Sequence, residues 1–569
     1  MKSRTIAAMR FPDLLAFRRG RLAAFFLLYM TEGLPLGFAA TAVATQLRRQ
    51  DVGPAEIGAF VGSFYLPWAF KWAYGPLIDV VASDRWGRRR GWIIATQVLM
   101  AITLMSTVML ELPAQLALFT AILFLHNSFG AMQDVAIDAL AVSTLEEHER
   151  GLANGLMFAG AAIGQALGGS GVLFLSGYTG FQPTFFFVAG AILAVTLFVV
   201  LPMREAAGPP REPGRGSPLA TAAREMHRFA IDSFRAFLDT RGAFLGLLVA
   251  LLPSGAMALG LGLQTTLAVE LGMDDDRVAW LALASSVTSA VFMVIGGLLS
   301  DRFGRRRTLA IYIALMSVPT FYLTWKLRQH GWIFPVPSTN GTRPAAPAEL
   351  VMAFWIAVVS YSVAQGLMYG TRAAIFMDVT NPRVAATQFT AYMALLNLAI
   401  AYSATWQGIA AEAVGYPTML LIDGFFGVAC VLLLPWMKNL HGNDPDGGAP
   451  RRARWAALAL ALACLAWLPY RAWPDLAGAA KPIFETAFTM VFVASALFLL
   501  AGSAVTGTRS KIARVGAWIA PLLLLMYARR WMGDAGPAVS ASLLAVPAAG
   551  AIVLLASAFN PWRELATRP

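Results

Sequence analysis

Along most of the chain, apolar runs of about 20 residues alternate with short polar breaks, the length needed to cross about 30 Å of hydrocarbon as a helix. The first six such windows fall at 22–46, 57–80, 91–111, 114–144, 151–176 and 183–202. Six more follow at 243–270, 277–300, 307–326, 349–376, 384–411 and 417–437, and a last four at 455–472, 482–506, 512–531 and 537–559. The pattern predicts an all-α polytopic membrane protein. Residues 203–241, rich in Pro, Gly and Arg and ending in an amphipathic stretch, divide the first twelve spans into two groups of six. The expected organisation is an amphipathic N-terminus on the inner membrane surface (1–21), an N-terminal bundle (22–202), a linker (203–241) and a C-terminal bundle (242–437). A second polar break (438–454), four additional spans (455–559) and a tail (560–569) complete it. The proline-rich segment 330–347 reads as an external loop, and spans 13–16 read as a peripheral appendage.

The polar break between spans 2 and 3 has a distinctive form. Gly75 and Asp79 close span 2, and Arg85-Trp86-Gly87-Arg88-Arg89-Arg90 leads into span 3. A second version stands between spans 8 and 9, where Gly297 and Asp301 are followed by Arg302, Gly304, Arg305 and Arg306. A carboxylate ending one helix can accept hydrogen bonds from the free N–H groups that open a neighbour, and the arginines can pair across the same seam. Such a latch favours one of two conformations. A single copy equally suits simple anchoring of helices on the cytoplasmic side. Two copies at equivalent places favour a carrier built from two related halves.

Composition narrows the classes. Hydrophobic residues make up 58% of the chain and charged residues 13%, against about 25% charged in soluble domains. The net charge of +12 would suggest nucleic acid in a soluble protein. Here most Lys and Arg fall in the breaks that are cytoplasmic if the N-terminus is, a positive-inside skew that needs no nucleic acid and sets both termini in the cytoplasm. Cys430 and Cys464 both lie in apolar windows, so no disulfide framework is expected. The first apolar run is a full span rather than a removable signal peptide. None of the five histidines has a metal-like neighbourhood and no nucleophile–base pair is visible, so neither an enzyme nor a cofactor or metal is expected.

Ionisable groups within spans cost several kcal/mol unless they pair or face water, which makes each a candidate. Glu32 lies about ten residues, or roughly 15 Å, into span 1, beside Gly and Pro residues that permit a bend. Lys71 sits about 12 Å from the cytoplasmic end of span 2. Span 4 offers Gln133, Asp134 and Asp138, the two carboxylates at i and i+4 on one face at similar depth. Lys71 pairing with either aspartate is expected. The pair is then either a permanent structural bridge or part of a site in which Glu32, Asp134 or Asp138 takes up a proton while Lys71 and Arg372 hold anionic groups of a substrate. Gln365, Tyr369 and Arg372 fall on one stripe of span 10 and are expected to line the cavity together. Gln165 in Gly/Ala-rich span 5, where small residues permit close helix contact, and Asn397 in span 11 are further candidates.

The combination of TEGLPLG (31–37), FKWAYGPLID (70–79), GRRRGW (87–92), MQDVAID (132–138), ERG (149–151) and ATQFTAYMALLN (386–397) resembles the peptide and acetyl-CoA transporter family of the major facilitator superfamily, including its muropeptide permeases. The resemblance spans the first twelve windows. It implies the major facilitator fold of two six-helix bundles, here with about four extra C-terminal helices. It further implies a monomer in a bacterial inner membrane that imports a glycopeptide, the anhydro-muropeptides of cell-wall recycling, with protons. Lys71, Gln133 and Asp134 match positions in that family's motifs. YMALLN in span 11 is closer to the acetyl-CoA branch, and the first loop departs from the superfamily pattern by Val80 and an insertion before Arg85. Acetyl-CoA, another amphiphile or drug export are the alternative cargoes, and a pigment-assembly factor of similar fold is the alternative outside transport.

Overall fold

The structure is a computed structural model that describes residues 13–80, 86–146, 149–205, 218–338, 343–380, 385–437, 447–506, 510–527 and 537–559. Within them the architecture is built from helices, eleven of which are long and apolar enough to cross a membrane, and two shorter apolar ones fill spans 3 and 7. The face at which span 1 begins is called the near face below, and the opposite one the far face.

Span 1 starts at Arg18, passes through Gly37 into a wider π turn at Phe38–Val43, and ends at Arg49 on the far face. Its glycines allow backbone contact with span 5: a Cβ at Gly33 would stand 2.0 Å from the Ala161 carbonyl oxygen, and one at Gly164 2.2 Å from that of Met30. This close approach is the van der Waals route to helix association where lipid removes the hydrophobic incentive.

Two spans that the apolar pattern presents as continuous are broken. Span 2 runs as Pro54–Tyr65, tightens into a 3₁₀ turn at Leu66–Phe70 around Pro67, and resumes as Lys71–Val80. Span 7, expected as one helix over 243–270, is two: Arg241–Leu251 and Gly262–Glu270. Pro253 forces Leu252 into extended backbone (ψ 150°), and Gly255 then adopts φ +104°, a conformation that a β-carbon would penalise. Unwound backbone inside a membrane must find partners within the protein. Asp423 of span 12 (Tyr416–Val428) supplies them, its Oδ2 accepting from the N–H groups of Met257 and Ala258 at 2.9 Å each. Its Oδ1 accepts from the Gln407 amide at 2.7 Å, and Gly255 N–H donates to the Gly427 carbonyl at 3.1 Å. Asp423→Ala would strand two backbone donors and one amide, each costing about 1–3 kcal/mol when buried. A loss of about 3 kcal/mol or more is expected in thermal unfolding of the purified protein, with Asp423→Asn intermediate.

Spans 13–16 (Ala449–Ala472, Lys481–Thr506, Lys511–Leu525 and Pro537–Phe559) enclose an apolar centre of their own around Cys464, Trp467, Phe492, Leu523 and Leu554. Cys430 and Cys464 are free and buried. The amphipathic end of the central linker forms a helix, Pro218–Asp239. Residues 1–12, 206–217, 438–446 and 560–569 of the expected terminal and linker segments lie outside the described residues.

Candidate functional site

The broken geometry of span 2 brings Lys71 to the start of its near-face half, opposite the span 4 helix Leu116–Thr144. Its ammonium pairs with Asp134 and stands 3.9 Å from Asp138 Oδ2. Tyr29 of span 1 donates to Asp138 Oδ1 at 2.5 Å. Glu32, one turn further along span 1, interacts with Asp134, Asp138 and Lys71, and its Oε1 is shut from solvent without a hydrogen-bond partner. Gln133 donates to Thr31 Oγ1 at 2.8 Å, and Gln97 of span 3 joins at 3.3 Å while accepting from Thr196 of span 6 at 2.7 Å. Five of the first six spans thus converge on one polar knot. Asp134 is buried, whereas the Asp138 side chain is 48% exposed. Its contacts with Tyr29 and Lys71 turn the Asp138 carboxylate toward spans 1 and 2. It ends six residues before Thr144, or about 9 Å from the near face. The Asp138 carboxylate is thus the open edge of the knot.

The second half contributes a cation. Arg372 lies 4.5 Å above the Tyr369 ring, with Nη1 buried and unpartnered. Tyr369 is close enough to Tyr65 of span 2 for the two phenols to interact across the halves. Gln365 is on the same stripe but turns to the Tyr361 hydroxyl (3.3 Å) beside Gly260 in the unwound part of span 7, so the stripe divides between two neighbourhoods. Asn397 folds back on the Met393 carbonyl of its own helix at 3.2 Å. The backbone of Gln165 forms the contact with Gly33 and Gly37, and its side chain is half-buried. The structure thus gathers Glu32, Lys71, Gln133, Asp134 and Asp138, and leaves Gln365 and Asn397 outside that group.

At the far face the two halves are sewn together. Arg48, 2% exposed, pairs at 2.8 Å with Glu270, which is fully buried and also accepts from Tyr416 OH at 2.5 Å and Val336 N–H at 3.1 Å. Arg49 pairs with Asp275 at 2.8 Å. Asp51 accepts from Arg343 at 2.5 Å and from Ser338. Burial alone would raise the Asp51 carboxyl's pKa, but the Ser338 hydrogen bonds and the Arg343 charge outweigh it and hold the group below the ordinary carboxylate range. Spans 2 and 11 meet there backbone to backbone: a Cβ at Gly58 would lie 2.4 Å from the Ala404 oxygen, and one at Gly408 2.1 Å from that of Pro54.

At the near face the two loop signatures share one backbone requirement. Gly87 and Gly304 both take positive φ, 87° and 92°, which is why glycine stands before the arginines in each. The carboxylate that receives the N–H groups opening span 3 (Arg90–Ser106) is Glu205 beyond span 6, bonded to Arg89 N at 2.9 Å and Arg90 N at 3.0 Å. Arg90 in turn donates to the Val200 and Leu201 carbonyls that close span 6. In the second copy Arg305 pairs with Asp378 at the end of span 10 at 2.9 Å. Gly75 has open space where a Cβ would go, and Gly297 faces the Gly370 carbonyl. Arg88, Arg302 and Arg306 stand beside these turns at the openings of spans 3 and 9. Arg85 and the side chains of Asp79 and Asp301 lie outside the described residues. In the ERG motif, Glu149 is buried against Arg21 at 2.7 Å, tying the start of span 1 to the span 4–5 turn.

The Major Facilitator Superfamily profile aligns with residues 22–262 and again with 245–565. The chain belongs to the Major Facilitator Superfamily. It is an integral membrane transport protein and not an enzyme. Among known proteins the chain is similar to the anhydromuropeptide permease of Escherichia coli K12, 24% identical over 426 residues that cover 74% of this chain and 80% of that protein. The fold resembles that of a D-xylose–proton symporter (TM-score 0.52, 15% identity, 74% of this chain and 99% of that one). It also resembles a POT family transporter crystallised with 5-aminolevulinic acid (TM-score 0.56, 10% identity, 74% and 97%).

Sequence reasoning had no signal for Tyr29 and Thr31 as parts of the knot, because neither is charged. Arg48 and Glu270 stood at span ends, where charges are ordinary. Asp423 is legible as a lone carboxylate within an apolar run.

Proposed function

We propose that this carrier imports an acidic glycopeptide of the anhydro-muropeptide type with protons, alternating between a near-face-open and a far-face-open form. The near face is taken as cytoplasmic, from the positive-inside skew, in a bacterial inner membrane, and the functional unit is taken as the monomer. The observation that carries the reading is the knot of three carboxylates around one lysine, half-exposed at Asp138, together with an Arg372 in the second half that has a buried, unpartnered nitrogen. Three carboxylates and one ammonium in a poorly solvated site leave excess negative charge, which proton uptake relieves. Arg372 and Lys71 then offer two cations to a substrate with carboxylates, and the Tyr65 and Tyr369 rings offer faces for its sugar. The similarity to a permease named for anhydromuropeptide supports this cargo over acetyl-CoA.

The test is uptake of labelled anhydro-muropeptide and of acetyl-CoA by proteoliposomes under an inward proton gradient. Accumulation of the first alone is expected, and accumulation of acetyl-CoA alone would replace this cargo. In the same assay Arg372→Gln is expected to raise KM at least tenfold, since losing one charge-assisted partner costs about 2 kcal/mol or more, with kcat changed less.

A further inference from the structure

The linker helix Pro218–Asp239 touches three parts of the molecule that the function above leaves unconnected. Phe229 stacks on Trp72 of span 2, ring centroids 5.8 Å apart and planes within 7°. Trp72 adjoins Lys71 at the start of the half-helix that follows the 3₁₀ turn. Further along, Phe234 meets Phe498 of span 14 edge to face at 5.7 Å. At its C-terminal end Arg452, at the opening of span 13, donates to the carbonyls of Leu238 (2.5 Å) and Asp239 (2.7 Å). Leu238 itself is buried in the apolar centre of spans 13–16. Gln388 and Tyr392 of span 11 hold the adjoining backbone through the Ala236 and Ala243 carbonyls. The linker helix is thus clamped by the appended spans at its C-terminal end and pressed on the Lys71 half-helix at its middle.

We propose that spans 13–16 act as a brace: by fixing the linker helix they hold the near-face half of span 2, and with it Lys71, in the arrangement that accompanies a sealed far face. The proposal rests on the two-state cycle above and adds a regulatory role for helices outside the twelve-span core. Loosening either contact of the strut releases the same half-helix. The two perturbations must therefore share one effect rather than multiply.

The reporter is a cysteine in place of Val61, which is 1% exposed and faces Gly262 across the far-face seam, in a protein whose Cys430 and Cys464 are replaced by alanine. Its labelling rate from the far face by a membrane-impermeant thiol reagent, in proteoliposomes, measures how often that seam opens. Phe229→Ala and Arg452→Gln are each expected to speed labelling about fivefold or more, and the double variant no further. Phe498→Leu, which keeps an apolar group in place, is expected to act in the same direction where Arg452→Gln fails to fold. Unchanged labelling in the single variants, or effects that multiply in the double, would overturn the brace. Arg48→Gln, which breaks the seam directly, separates the two levels. If it labels rapidly while the brace variants do not, only the brace falls. If it too leaves Val61→Cys unlabelled, the two-state cycle falls and the brace with it.

Discussion

Asp134→Asn is expected to abolish gradient-driven accumulation in proteoliposomes, by about 100-fold or more, while substrate exchange without a gradient persists. The physical basis is the stoichiometry of the knot. Lys71 now divides its charge between a bonded Asp134 and Asp138 at 3.9 Å, with Glu32 as a third neighbour. Neutralising Asp134 leaves an ammonium whose nearest remaining carboxylate is the half-exposed Asp138, so it is drawn there and the proton-dependent exchange of partners is lost. Breaking a buried pair from one side costs about 3–5 kcal/mol, and about 3 kcal/mol on a barrier is a hundredfold in rate. Glu32→Gln is expected to act in the same direction, because it removes a charge that destabilises the other two. A paired replacement, Lys71→Met with Asp134→Leu, removes both charges and is expected to restore thermal stability without restoring uptake. Variants that still accumulate substrate under a gradient would make the knot a permanent structural bridge.

Arg48→Gln is the second large effect. It leaves Glu270 buried with Tyr416 and Val336 as its remaining partners. A destabilisation of the far-sealed form by about 3–5 kcal/mol is expected, enough to invert a population held by a few kcal/mol. Arg48→Met together with Glu270→Met is expected to recover much of the seal, since a well-packed apolar pair of similar volume often equals a buried ion pair. Ligand-free thermal unfolding and far-face thiol accessibility read the two parts separately. If the single variant unfolds and labels like the parent, the pair does not hold the seam.

The all-helical membrane architecture, the linker helix and the two basic turns were legible because each rests on a local signal: apolar length, amphipathic period, glycine before arginines. Of the sixteen apolar windows expected, eleven helices among the described residues are long and apolar enough to cross a membrane. The convergence of Glu32, Lys71 and Asp134 was legible for a related reason, since charges at lipid depth must find each other. The breaks in spans 2 and 7 were missed because apolar length continues through them, although Pro67 and the Pro253–Gly255 pair mark the places. The loop-signature capping group was expected from the aspartate nearest in sequence. Among the described residues Glu205, over 100 positions away, fills that place at span 3, a pairing set by tertiary proximity that no spacing reveals. Gln365 shares a stripe with Arg372, but the unwound backbone near Gly260 gives its amide a nearer neighbour.

The bare-backbone meeting of spans 2 and 11 at Gly58 and Gly408 has a mechanical consequence. Surfaces with interlocked side chains must rearrange many rotamers to separate, whereas two smooth peptide ridges can part and re-seat without unthreading anything. Under the proposed cycle this contact is a toothless seam that closes whenever the far face does. A single added methyl at either glycine would stand 2.1 or 2.4 Å from a backbone oxygen and act as a wedge, so the two spans would have to part and the balance would tip away from the far-sealed form.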